Sequence, residues 1–432
     1  MEAGAIPVLV EALQPPQMDS TALETTFQAA WALTNLAVGD ADVVRAILPA
    51  APILIAHVGG DNGLAMAEQC AWAIGNIAEE DVEYRGILIS NGAVMPLTKL
   101  LLKACSVFRA KDADNAVLDS ESLSAGETAA WALSILFVGE GDEVKPFLEA
   151  EHGMETLVSV VSSTSAPISL VKEVAWLLAR MTSACPGDIR VGTHEAILQN
   201  AFKWIRFVLD PDQEFDEERD GSALKIPCLR VMGNVTIAHP RVASEFFCDA
   251  QEGVNRSQII TLCAESRQYG VQREALWILS CIAALPDSNT YQMLRQAHTI
   301  PVLMKCLKEE PYHIKKEAAF ALANLCLGKD KKGDPEVLNH LFGGDNIAVG
   351  AMLSLMHSAD LDAIELSLDF ASMMLHRLPE GKDIIQQAEG IKLLEEVQFN
   401  AGISSDTLKK RAKHLVNHYW GIDDDRMKHH DR

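Results

Sequence analysis

An all-α solenoid, made by stacking one helical unit along the chain, is the fold class this sequence predicts. Three observations lead there. At 432 residues the chain is too long for one compact core, which leaves several globular domains or a repeat array. Hydrophobic residues make up 48% and charged residues 22%, ordinary values for a folded protein, while aromatics reach only 6% and alanine and leucine abound, a balance that favours helix. Finally, one short motif returns along the whole length.

That motif is QAAWALTNLA at Trp31, QCAWAIGNIA at Trp72, TAAWALSILF at Trp131, EVAWLLARMT at Trp176 and EALWILSCIA at Trp277. PCLRVMGNVT and EAAFALANLC fit it with Arg230 and Phe320 at the tryptophan place. Successive positions stand 41 to 59 residues apart, on average about 48, near the ~40–47 residue period of armadillo and HEAT repeats. Each period reads as three pieces. A short helical stretch ends near a small residue, as before Gly92. An apolar helix follows, with proline in its first turn at 5–13, 93–101 and 299–307, where a missing N–H costs nothing. The longer helix carrying the motif closes the unit. Three helices per unit select armadillo over two-helix HEAT repeats. The expectation is a right-handed armadillo solenoid over 1–424 of about nine three-helix repeats, the first lacking most of its opening helix, with 425–432 a flexible tail. Acidic insertions near 105–122 and 208–222 account for the long intervals and are expected as flexible loops that leave the stack intact.

Residues four apart share a helix face, so Trp31 stands with Asn35 and Trp72 with Asn76; Arg230 with Asn234 and Phe320 with Asn324 repeat the geometry. A lone tryptophan in such a unit is ordinarily core. Recurrence beside asparagine, a poor helix-interior residue, points instead to a shared working face. An asparagine amide both donates to and accepts from a peptide backbone without regard to sequence. Spaced indole rings form slots for the stems of lysine or arginine, with cation–π attraction at the ring faces. Carboxylates at the slots would select positive charge: Glu79, Glu80 and Asp81 follow the second pair, and Glu173, Glu274 and Glu317 each stand three residues before a motif position.

The net charge of -23, from 60 acidic against 37 basic residues, argues against nucleic acid or anionic lipid, and either attracts basic partners or merely keeps a long solenoid soluble. Nine scattered cysteines without a CxxC pair read as reduced thiols inside the cell, with no metal site. No apolar run is expected to reach the ~18 residues needed to cross a bilayer, and no signal peptide is recognised after Met1. No phosphate loop, nucleophile elbow or metal-spaced triad is found, so no catalytic residue, cofactor or enzyme activity is expected. His414, His418, His429 and His430 come nearest to a metal cluster and read as solvated helix and tail.

WALTNLAVGD, EQCAWAIGNIAEED, PCLRVMGNV and KKEAAFALANLCLG resemble the repeat signatures of importin α (karyopherin α), the armadillo adaptor for nuclear localisation signals. The resemblance runs nearly the whole length, to DTLKKRAKHLVNHYWGIDDD, which looks like the family's last repeat and acidic tail. It implies a monomeric adaptor of cytoplasm and nucleus, with cargo proteins carrying Lys/Arg-rich signals as partners. A major site would use Trp31, Asn35, Trp72, Asn76, Trp131 and Glu173, with Gln69 and Gly39 as peptide contacts and Glu80 as the acid for the key cargo lysine. A minor site would use Arg230, Asn234, Glu274, Trp277, Glu317, Phe320 and Asn324, two linked sites giving avidity. The family's export factor would contact the last repeats, including the 405–421 helix.

Four departures weaken that picture. Ile135 stands at the third asparagine of the major site, Arg180 at a place usually aromatic or polar, Cys281 at a minor-site asparagine and Phe320 at a tryptophan. A divergent member with an altered minor site is the expectation; the alternative is an armadillo scaffold or chaperone-like adaptor for non-basic clients. The family's basic N-terminal arm, which binds importin β, is not recognised, since the sequence opens at EAGAIPVLVEAL within a repeat. Either the sequence is shortened or the lineage lost the arm. Importin β is therefore expected as a partner only where an arm lies outside this chain.

Overall fold

The computed structural model describes residues 4–14, 20–109, 117–139, 141–210, 221–248, 255–287, 289–309, 311–327 and 333–421. Helices and short 3-10 turns, with no strand among these residues, make up two compact units, 1–238 and 239–432. The expected tail at 425–432, His429, His430 and the centres of both expected insertions lie outside the described residues. The edges of those insertions are helical: Ser106–Arg109 is a 3-10 turn that buries Phe108, and helices end at Leu209 and begin at Ser120 and Ser222.

The first unit is organised by five long helices, Ser20–Leu36, Leu64–Glu80, Ser120–Leu136, Ile168–Ala184 and Ser222–Ala238, each packed on the next. The second has four, Tyr269–Ala283, Tyr312–Leu327, Leu361–Arg377 and Asp406–Trp420, packed in the same succession. Shorter helices fill the back of each repeat. In the third repeat Val82–Ser90 and Val94–Ala104 meet at 80°, and Gly92 makes the corner with φ +82°. That left-handed conformation suits glycine, which has no Cβ to strike the next carbonyl. His152, His298 and Glu389 adopt it at the matching corners of three other repeats.

Two expectations need correction. The fifth repeat does not have two short helices before its long one. A single 19-residue helix, Val191–Leu209, stands there after a 3-10 turn, because its sequence has no corner glycine or proline past the first turn. A continuous helical run long and apolar enough to cross a bilayer does exist, Ala41–Val58, joined from Ala41–Ile47, Leu48–Ala50 and Ala51–Val58. Pro49 and Pro52 fall in first turns and so do not break it. It is half buried and packs on Leu64–Glu80, as a core helix does.

Candidate functional site

On every long helix bearing the motif, one line of residues stays accessible while its neighbours are buried. In Leu64–Glu80 the residues Ala71, Ala73, Ile74, Gly75, Ile77 and Ala78 are all buried, yet Trp72 between them is 47% exposed and Asn76 half-buried. Trp31 is 52% exposed and Asn35 is exposed. Trp131, Trp176, Arg230, Trp277 and Phe320 are half-buried, as are Asn234 and Asn324. Trp204, outside the motif, behaves as a core indole: it is 4% exposed and its Nε1 donates to the Val161 carbonyl at 2.7 Å. Trp31 and Trp72 are held differently, so hydrophobic burial does not account for them.

The asparagines tie each long helix to the one before. Asn76 Nδ2 donates to the Thr34 carbonyl at 3.1 Å, and Asn234 Nδ2 to the Ala179 carbonyl at 2.8 Å and to Thr182 Oγ1 at 3.1 Å. Asn324 Nδ2 donates to the carbonyl and hydroxyl of Ser280, both at 3.1 Å. In all three the acceptor backbone lies three residues after the preceding motif position. Using Nδ2 this way aims the amide and leaves Oδ1 for a ligand's N–H. The same register explains the small residues there, Thr34, Gly75, Ser134 and Ala179 in the first unit. A Cβ built on Gly75 would lie 2.1 Å from Cζ3 of Trp131, so that indole lies directly against the preceding helix.

Between Trp72 and Trp131 opens a pocket of about 370 Å³, walled by both indoles and by Glu68, Ser124, Glu127 and Glu173. Ser124 Oγ donates to Glu68 at 2.5 Å. One oxygen of Glu127 is buried, and among the described residues no donor reaches it. A carboxylate oxygen held this way is unfavourable until a donor or a cation meets it. Glu79 and Glu80 are exposed on the last turn of the helix that carries Trp72, where the helix dipole disfavours negative charge. Asp81 is instead engaged as an N-cap, accepting from the Glu83 N–H at 2.7 Å.

Other residues singled out in the sequence fall below this face or are already engaged. Gln69 is buried, its Nε2 donating to Thr34 Oγ1 at 2.7 Å. Glu274 is 1% exposed and pairs with Arg273 at 3.2 Å, and Glu173 pairs with Lys172 at 2.9 Å. Glu317 is half-buried; burial foremost, and then its charge, push the Cys281 thiol up to about 12. Gly39 lies exposed in the turn after Ser20–Leu36.

Sequence reading missed the residues four before each motif position, which share its helix face. They are apolar at Phe27 and Ile226, acidic in the second and third repeats at Glu68 and Glu127, and basic at Lys172, Arg273 and Lys316. Lys316 sits 5.8 Å from the Phe320 ring centre and bonds Asp360. Counting residues four back from each motif tryptophan would have found the change of sign.

The helix order, the stacked long helices and the asparagine register define an armadillo-repeat protein. Residues 1–38 and 287–327 match the family model for the Armadillo/beta-catenin-like repeat. A crystal structure of an engineered protein shares this fold with a TM-score of 0.67 at 22% identity, over 96% of this chain and 88% of that one. Importin subunit alpha-9 of Arabidopsis thaliana is 30% identical, the match spanning 98% of this chain and 76% of the relative. Importin subunit alpha-2 of Oryza sativa subsp. japonica is 29% identical over 98% of this chain and 74% of its own length. The chain belongs to the importin α family of nuclear-import adaptors.

Proposed function

We propose that this chain carries cargo proteins between cytoplasm and nucleus by holding a Lys/Arg-rich segment on the accessible face of its first unit. The observation that carries this reading is the slot between Trp72 and Trp131, with the unpaired oxygen of Glu127 in its wall. Two indole walls suit an aliphatic stem, and the carboxylates of Glu68 and Glu127 suit the charged head, while Glu173, paired with Lys172, completes the wall. Trp31, Asn35 and Asn76 extend the face for the segment's backbone and flanking side chains, and Glu80 offers a further carboxylate at the helix end. Gln69 acts from beneath by fixing Thr34, and Gly39 contributes through its exposed turn.

The face of the second unit, with Trp277, Phe320, Asn324, Glu274 and Glu317, is a weaker site in this account. Arg273 and Lys316 already occupy the places a cargo cation would take. Arg230 and Asn234, assigned to the same site by resemblance, belong to the first unit. An export factor at the last repeats, on the helix Asp406–Trp420, and importin β through an arm outside this chain complete the cycle we propose. Fluorescence anisotropy of a labelled Lys/Arg-rich peptide tests the reading. Trp72→Ala should weaken binding about tenfold, the scale of one desolvated cation–π contact, and added salt should weaken it further. Binding indifferent to both changes would falsify it.

A further inference from the structure

Besides Arg230, four cations among the described residues stand on the accessible face of the motif helices or one turn from their motif positions, and three of them have a carboxylate of their own. Lys172 has Glu173, Arg273 has Glu274 and Lys316 has Asp360. Arg180 is the exception. It occupies the place four residues after Trp176, where Asn35, Asn76 and Asn234 stand on other helices, and its guanidinium lies 5.7 Å from the Trp176 ring centre. The charges acting on it are those of Arg230 and Arg85, both positive; burial foremost, and then these charges, lower its pKa. Its Nε is buried with no acceptor.

The register of the next helix brings Arg230 to the same spot. Asn234 bonds the Ala179 carbonyl and Thr182 Oγ1, so Arg230, one turn earlier on that face, lies alongside Trp176 and Arg180. Two arginines converge here, and among the described residues no carboxylate is supplied for Arg180. A half-buried guanidinium lacking an anion is unfavourable until one arrives, and its planar fork matches carboxylate and phosphoryl oxygens.

We propose that Arg180, beside Arg230, is an anion subsite that takes a carboxylate or phosphoryl group from the client segment whose basic side chain enters the slot between Trp72 and Trp131. The inference rests on the function proposed above. It makes the chain a reader of mixed-charge segments, basic then acidic, and sets it against long unbroken basic runs.

The test uses the whole chain and a family of labelled peptides. Each carries a basic stretch and a neutral flank in which one position at a time is alanine, glutamate or phosphoserine, scanned on either side. At one register glutamate or phosphoserine should tighten binding about threefold to tenfold over alanine, as a charge-assisted contact does. Whichever of the two gains more identifies the source of the oxyanion. The gain should vanish in Arg180→Gln while the alanine peptide binds as before, and in Arg180→Glu lysine at that register should become the better residue. Melting curves matched to the parent show that the variants fold. A gain at no register, or one that survives Arg180→Gln, overturns the inference alone. An alanine peptide that does not bind the parent protein overturns the slot reading, and this inference with it.

Discussion

At Gly75 an added methyl would meet the Trp131 ring at 2.1 Å, with no room in the helix for it to move aside. Gly75→Ala should therefore push the indole off the preceding helix. We expect a loss of about 1–3 kcal/mol, the usual cost of overpacking, seen as a lower Tm, together with weaker binding of a basic peptide. Ile135 is the converse case. It stands where Asn76 and Asn234 reach back to the preceding helix, and the Gly75 carbonyl occupies the matching acceptor place. Ile135→Asn should add one more amide to the face and tighten peptide binding by about 1 kcal/mol, a typical net hydrogen bond. Calorimetric titration of both variants checks this; unchanged affinity for Ile135→Asn would remove the asparagines from the mechanism. The tryptophans and asparagines themselves were legible from their spacing. The Gly75–Trp131 contact was not, because it joins residues 56 apart whose juxtaposition depends on how two helices register.

Among the elements, the corners between short helices show where sequence and backbone disagree. Glu389 is exposed and left-handed at φ +58°, a conformation costing a side-chain-bearing residue about 1–2 kcal/mol. Glu389→Gly should raise stability by about 0.5–1 kcal/mol after the entropy of the freer unfolded chain is counted, measurable by urea titration. Gly92 made one such corner visible in the sequence; the histidines and the glutamate hid the others. The long helix Leu361–Arg377 is started by Asp360, which accepts from the Asp362 and Ala363 N–H groups and binds Lys316. Lys316 foremost, helped by the Ala363 and Asp362 N–H groups and opposed by partial burial, holds its carboxyl below the ordinary value. A depressed carboxyl pKa contributes stability that is fully present above the unfolded value, near 4, and is lost as pH falls through the folded one. Asp360→Ala should thus cost about 1–2 kcal/mol at neutral pH, and the gap to the parent should close in acid. A gap that stays constant with pH would show that Lys316 contributes nothing. The helix Val191–Leu209 escaped the three-piece pattern because that pattern assumes a corner in every repeat.

For the molecule as a whole, the net charge of -23 draws cations, but attraction alone does not localise them. Five positions one turn before motif positions do that, acidic at Glu68 and Glu127 and self-neutralised at Lys172, Arg273 and Lys316. On the function we propose, the early face is therefore the one left for a cationic side chain, and the later face is largely satisfied from within. Fold class and repeat count were readable because a period survives divergence. The difference between the faces was harder to read, because pairing depends on which neighbour a charge reaches. The most direct test of the central claim is a double-mutant cycle between Glu127→Gln and the peptide lysines, each replaced in turn by alanine. The account predicts that one lysine couples to Glu127 by about 1 kcal/mol or more at low salt. Effects that add within about 0.5 kcal/mol for every lysine would contradict it.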